Sequence, residues 1–274
     1  MKTNILFGTM ALLAGTILAA DSSPKEDIKS AAKKLADKSN YSWKTTVEAA
    51  GGGGGGGRPG PTEGKTEKDG ATCLSITRGD NTIEVVLKGG KGAVKTQDGW
   101  KSLSEAAEGD GGQGNAGRFF ARRLQNFKAP AAQAEDLASK AKELKKTDDS
   151  YSGELTEEGV KELLSFGARP GGADAPTVSD AKGSVKFWIK DGVLSKYEFK
   201  VQGKVTFNGN DRDIDRTSSV EIKDVGSTKV EVPDEAKKKL SQALIPSGEL
   251  RLTVARFELA KDRNINTRTQ FDWV

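Results

Sequence analysis

The 274-residue chain carries 43 lysines and arginines against 39 aspartates and glutamates, a formal net charge of +4, too balanced and too interspersed for a nucleic-acid-binding surface. It has no histidine and one cysteine, Cys73, which excludes Ser-His-Asp and Cys-His nucleophile systems, histidine general bases, most zinc sites and any intramolecular disulfide. The acids are scattered and offer no pair suited to acid-base chemistry, so the composition points away from an enzyme and calls for no cofactor or metal.

The opening residues, MKTNILFGTMALLAGTILAADS, place Lys2 before an apolar stretch running from Ile5 to about Ala20. This is the layout of a secretory signal peptide over residues 1–22, with an apolar core too short and wrongly flanked for a membrane span. Asp21 and Ser22 stand where a bacterial lipoprotein would carry its acylated cysteine. No later stretch approaches the roughly 20 apolar residues of a spanning helix. The expectation is a soluble exported protein, periplasmic or secreted, with its domain over residues 23–248 and a C-terminal extension over 249–274.

PKEDIKSAAKKLADKS predicts a helix, with Pro24 in the first turn and Ile28, Ala31, Ala32 and Leu35 on one face. YSWKTTVE follows as a half-buried strand, its Tyr41, Trp43, Thr45 and Val47 alternating with polar partners. Residues 51–70, a heptaglycine and then RPGPTEGKTEKDG, read as a flexible loop. The stretch from Ala71 to Leu103 reads as a meander punctuated at Gly79-Asp80, Gly89-Gly90 and Asp98-Gly99. In it Leu74 and Ile76 share a face with Ile83, Val85 and Leu87, Trp100 closes the series, and Cys73 falls on the other face. The middle is helical: NAGRFFARRLQNFK has Phe119, Phe120, Leu124 and Phe127 at helical spacing, and AAQAEDLASKAKELKK runs from an acidic start to a basic end. A short strand, SYSGEL, then precedes a helix capped by Thr156 with Val160, Leu163 and Leu164 as its stripe, and ARPGGADAPTVSD reads as a linker.

GSVKFWIKDGVLSKYEFKVQGKV, residues 183–205, predicts a β-hairpin. Val185, Phe187 and Ile189 share one face of the first strand, and Tyr197, Phe199 and Val201 one face of the second. All six are odd-numbered, so they oppose one another only across an odd-length loop, which excludes a two-residue turn. That predicts the three-residue loop Lys190-Asp191-Gly192 in place of a two-residue Asp191-Gly192 turn, with Trp188 opposite Leu194 on the outer face. Further strands continue through KVTFNGNDRDIDRTSSVEIKDVGSTKVEV, and PDEAKKKLSQAL forms a helix beginning at Pro233.

Three motifs fail on inspection. RPGPTEGKT lacks the first glycine of a phosphate-binding loop, because Pro59 stands there and no amphipathic helix follows. Asp211, Asp213 and Asp215 have the first ligand spacings of a calcium loop, but Arg216 and Ile222 replace the glycine and the closing glutamate, and Arg212 and Arg216 are expected to neutralise those carboxylates. Arg118, Arg122, Arg123 and Lys128 flank an aromatic stripe that suits a membrane surface, although packing onto the sheet is the commoner use of such a stripe.

The order of elements, and in particular AVKTQDGWKSLSE, YSGELTEEGVKELL, FWIKDGVLSKYEFKVQGKV and VEVPDEAKKKL, resembles the LolA/LppX-like superfamily of exported lipoprotein and lipid carriers over most of residues 25–240. The resemblance implies an α+β fold in which a curved antiparallel sheet, an incomplete β-barrel, wraps around helices and encloses an apolar cavity for acyl chains. The chain departs from the LppX branch in lacking a cysteine to acylate, and the heptaglycine loop and long tail are unlike the compact carriers. The resemblance transfers no ligand contact. The expected lining follows from strand parity alone: Leu74, Ile76, Ile83, Val85, Leu87, Val185, Phe187, Ile189, Tyr197, Phe199 and Val201.

Two functions fit this reading. The first is a carrier or binding protein for a lipid or acyl-chain ligand, exchanging it with an envelope protein partner. The second is a non-catalytic structural or interaction module with the same sheet and a filled core, acting through edge strands or through Trp188. A continuous cavity between sheet and helices favours the first, and a filled interface the second.

Overall fold

The computed structural model describes residues 23–50, 59–108, 114–165, 176–207 and 209–242. The expected signal peptide and C-terminal extension lie outside the described residues, as does the heptaglycine.

Helix α1 (Pro24–Ala36) begins at Pro24 as expected, with the Ser23 hydroxyl accepting from the Glu26 amide and acids in its first turn. Strands β1 (Asn40–Ala49), β2 (Pro59–Glu67), β3 (Thr72–Arg78), β4 (Asn81–Lys88), β5 (Lys91–Thr96) and β6 (Gly99–Ser102) follow as an antiparallel meander. Helices α2 (Leu103–Glu108), α3 (Gly114–Gln125) and α4 (Pro130–Lys140) come next, then β7 (Lys145–Lys146), β8 (Tyr151–Glu154) and α5 (Glu157–Leu164). The long strands β9 (Thr177–Lys190), β10 (Val193–Phe207) and β11 (Asn210–Lys223) precede the last helix, α6 (Asp234–Gln242).

The strands form one open sheet in the order β6-β5-β4-β3-β2-β1-β11-β10-β9-β8-β7. The first strand is the seam of the sheet: β1 pairs with β2 on one side and with β11 on the other, joining the early meander to the late one. Register shifts at Leu194/Lys196 and Gln202/Lys204 place bulges in the longest pair, and bulges bend a strand and increase its twist. This is the curved antiparallel sheet with helices against it that the sequence implies.

Helices α1, α4 and α5 cover the β8–β11 half on the concave side, and α2 and α3 cover the β3–β5 half. On the opposite face α6 makes a small second core, in which Ala236 and Leu240 pack on Ala71, Val86 and Ala93 beside Cys73, Trp100 and Val232.

The structure corrects the sequence reading in several places. The hairpin does use the two-residue turn: Asp191 and Gly192 both have positive φ, 52° and 73°, the conformation that suits the twist of a tight hairpin. Parity is restored by a bulge at Ser195, whose hydroxyl donates to the Trp188 carbonyl. Trp188 therefore lies opposite Lys196, Lys186 opposite Glu198, and Leu194 is buried on the concave side opposite Ile189. Residues 59–67, read as part of a loop, form β2. Its glycine at 64 is required because a Cβ there would overlap the Trp43 ring. Trp100 pairs with Lys95 and faces α6, on the other side of the sheet from Leu74 and Val85. Residues 177–180, taken for linker, already belong to β9, and the strand pattern after Lys223 does not continue into the segment before α6.

Candidate functional site

The expected lining residues divide into two groups. In the β8–β11 half, Val185, Phe187, Tyr197, Phe199 and Val201 are buried, with Phe187, Tyr197 and Val201 fully enclosed. Ile28 and Leu35 of α1, Leu137 of α4 and Leu164 of α5 are equally buried and complete the same core. Phe187 and Tyr197 lie 6.4 Å apart between ring centres, and the Tyr197 hydroxyl donates to Gln133 of α4. Burial pushes the Tyr197 phenol well above its usual range, so it remains neutral. This half is a packed interior, and of the expected lining residues in it only Ile189, at the turn end, is partly exposed, as are Leu163, Val178, Val193, Ile214 and Ile222 around them.

The β3–β5 half is less complete. Leu74 and Val85 are buried, but Ile76, Ile83 and Leu87 remain half-buried, as do Phe120 of α3 and Phe127 just beyond it. Phe127 stacks on Trp43 at 5.9 Å, and Trp43 in turn donates to Thr66. A cleft of about 160 Å³ opens between Thr72, Leu87 and Gly89 on the sheet side and Leu124, Phe127 and Ala129 on the helix side.

Arginines border this half, and parity reasoning confined to apolar residues missed them. Arg78 continues the face of Leu74 and Ile76, and its guanidinium lies 5.2 Å from the centre of the Phe120 ring. Arg216 pairs with Ala49 and Val201 and so occupies the concave face. It is thus on the opposite side from Asp215, whose carboxylate meets Lys200 at 3.2 Å and Gln202 at 2.8 Å. Arg123 flanks the apolar stripe of α3. Loss of bulk water, followed by the charge of Arg78, lowers its pKa. Burial, followed by the charge of Arg123, lowers that of Arg216 to about 10.

A recess of about 640 Å³ lies on the convex side between β8, β9 and β10. Lys142, Lys145, Glu154, Lys186, Glu198 and Lys200 surround it, a charged lining unsuited to an acyl chain. Among the described residues no group of three or more cysteine, aspartate or glutamate side chains could hold a metal ion. No helix among them is long and apolar enough to cross a membrane.

No family model and no curated protein matches the chain. Solved structures do. The fold resembles that of LppX and LprF. The Mycobacterium tuberculosis lipoprotein LppX aligns over 76% of this chain and 97% of its own, at 13% identity and a TM-score of 0.40. LprF from Mycobacterium bovis aligns over 78% of this chain and 100% of its own, at 9% identity and a TM-score of 0.40.

Proposed function

We propose that the chain is an exported, non-catalytic binding protein or carrier for lipids or acylated proteins, with the ligand taken up between α3 and the β3–β5 part of the concave face. The observation that carries this reading is the contrast between the two halves of one face: α1, α4 and α5 bury the large aromatic side chains of one, while the other leaves Ile76, Ile83, Leu87, Phe120 and Phe127 half-buried, with a cleft lined by Leu87 and Phe127. Contiguous, partly exposed apolar side chains of this size are costly in water and mark an occupied or occupiable surface. The cleft of about 160 Å³ is smaller than the roughly 300–1,000 Å³ of ordinary ligand pockets. Uptake of an acyl chain therefore requires α3 to move off the sheet. The gain from covering apolar surface, about 25 cal/mol per Å², is the driving term.

The test is native mass spectrometry with lipid extraction of protein purified from its envelope. A stoichiometric acyl ligand is expected. A clean unliganded mass together with no uptake of fluorescent fatty-acid analogues would overturn the reading.

The sealed β8–β11 half favours a second function, an interaction module, for that part of the molecule. On its convex face Lys186 and Lys196 each stand 4.9 Å from the centre of the Trp188 ring, a cationic and aromatic surface suited to a protein partner in the envelope.

A further inference from the structure

We propose that the lip of the cleft beneath α3 docks on an anionic lipid bilayer, with Lys88, Lys91 and Arg122 meeting the head groups and the apolar mouth of the cleft, at Leu87 and Phe127, facing the acyl region. The proposal rests on the carrier reading and adds the surface from which the acyl ligand is drawn.

The cleft is bordered on the sheet side by the β4–β5 turn, Lys88-Gly89-Gly90-Lys91, and on the helix side by Leu124 and Gln125 at the end of α3. Arg122 precedes Gln125 by three positions within α3, and residues so spaced are neighbours on one helix face. The helix therefore carries Arg122 on the side that borders the cleft. Gly89 and Gly90 have positive φ, 56° and 77°. Beyond the adjoining residues, no described atom lies within 4 Å of the side-chain position at either. The tip of this hairpin thus stands clear of the rest of the molecule, as contact with a broad surface requires. Lys88 and Arg122 are exposed, and Lys91 is half-buried.

Lys88 and Lys91 are directly opposed in the ladder and share the parity of Val86 and Ala93, so they belong to the outer lip of the cleft and not to its interior. Like charges directly opposite one another destabilise a sheet. Among the described residues neither lysine nor Arg122 forms an ion pair, whereas Lys68, Lys95 and Lys128 of neighbouring segments are paired with Asp37, Glu84 and Asp136. Glu67 and Asp69 adjoin Gly70 in the β2–β3 turn, on another part of the border, so the positive lip is the part formed by α3 and the β4–β5 turn. An anionic bilayer supplies negative charge to all three cations at once, and each cation brought to such a surface adds to binding. Half-buried Leu87 and Phe127 at the mouth add the apolar contact on which interfacial binding also depends.

Flotation of the intact protein with phosphatidylcholine vesicles, with and without about one-quarter phosphatidylglycerol, tests this. At about 0.1 M salt the anionic vesicles are expected to bind at least about tenfold more tightly than the neutral ones, and the difference should vanish at about 1 M, where the screening length falls to about 3 Å. Arg122→Gln should weaken binding to anionic vesicles about fivefold, and Lys88→Gln with Lys91→Gln about 25-fold, the scale of one surface cation each. Lys145→Gln with Lys182→Gln removes the same charge from exposed positions of β7 and β9 and should change that binding by less than about twofold. Unchanged melting temperatures show that the variants are folded, and Arg122→Gln decides alone if the paired lysine variant is not. Uptake of a fluorescent fatty-acid analogue from solution reads the carrier function separately. Equal binding to neutral and anionic vesicles, or equal losses from the lip and from β7 and β9, would overturn the docking surface, and retained uptake would then leave the carrier reading standing. Lip-dependent binding to anionic vesicles without uptake would support the docking surface and overturn the carrier reading.

Discussion

At the scale of single residues, the sequence showed which side chains share a face but not what meets them there. The alternation of Val185 and Phe187 with Lys186 and Trp188 is local, and the structure places the odd-numbered pair in the core. Whether that face is the floor of a cavity or half of a packed interior depends on Ile28, Leu35 and Leu137, which approach only through tertiary folding. Phe199, 7% exposed, tests the face directly: Phe199→Asp should abolish the cooperative thermal transition, because an unpaired carboxylate there has no partner and no water. An unchanged transition would place position 199 on the outer side. Gly64 tests the contact that sequence could not show. A methyl group there enters the Trp43 ring, so Gly64→Ala should lower stability by roughly 1–3 kcal/mol in urea denaturation, the usual cost of overpacking. No change in midpoint would mean that Trp43 does not lie across β2.

At the scale of elements, α1, α5 and α6 were legible from caps and periodicity, while β2 and the hairpin turn were not. β2 is written in proline, glycine and threonine, a composition that reads as loop until Trp43 is seen to need the bare backbone at Gly64. The hairpin misled because parity counts residues and cannot detect a bulge. Deletion of Ser195 separates the alternatives. With the observed register it leaves Tyr197 opposite Phe187 and removes one hydrogen bond to Trp188, so the variant should stay folded and lose about 1 kcal/mol. With a three-residue loop and no bulge, the same deletion would turn Tyr197, Phe199 and Val201 outward and unfold the domain.

The α4–α5 contact carries a pH dependence. Asp136 accepts from Lys140 and Lys128, and Lys140 also reaches Glu162 of α5 at 2.9 Å. Partial burial raises the carboxyl pKa of Asp136, but the hydrogen bonds and charges of the two lysines outweigh it and the net shift is downward. A depressed carboxylate stabilises the fold above its unfolded pKa, about 3.9, and loses that contribution as pH falls through the lower folded value. Thermal stability should therefore fall below about pH 4, and Asp136→Asn should flatten that part of the profile. An identical acid limb in the variant would remove Asp136 from the account.

At the scale of the whole molecule, the fold is an open sheet whose concave face is finished at one end and unfinished at the other, and this asymmetry determines where motion is affordable. Net charge gave no hint of it, because the arginines of the unfinished half are cancelled in the total by acids that face outward. Separating α1, α4 or α5 from the sheet exposes fully buried Phe187, Tyr197 and Val201. Separating α3 exposes the smaller buried pair Ala121 and Leu124 together with residues already half in water, and breaks the Phe127–Trp43 stack and the Arg78–Phe120 contact. Local opening free energy follows the apolar area exposed, so α3 should open far more often than the other helices. In hydrogen exchange of the unliganded protein, the amides of Gly114–Gln125 should exchange earlier than those of α1 and α4. A saturating 16-carbon fatty acid should slow exchange in α3, β3 and β4 and leave α1, α4 and α5 unchanged. Protection spread evenly over all the helices would mean that the ligand enters the sealed half, and equal rates for α3 and α1 without ligand would mean that the concave face has no preferred opening.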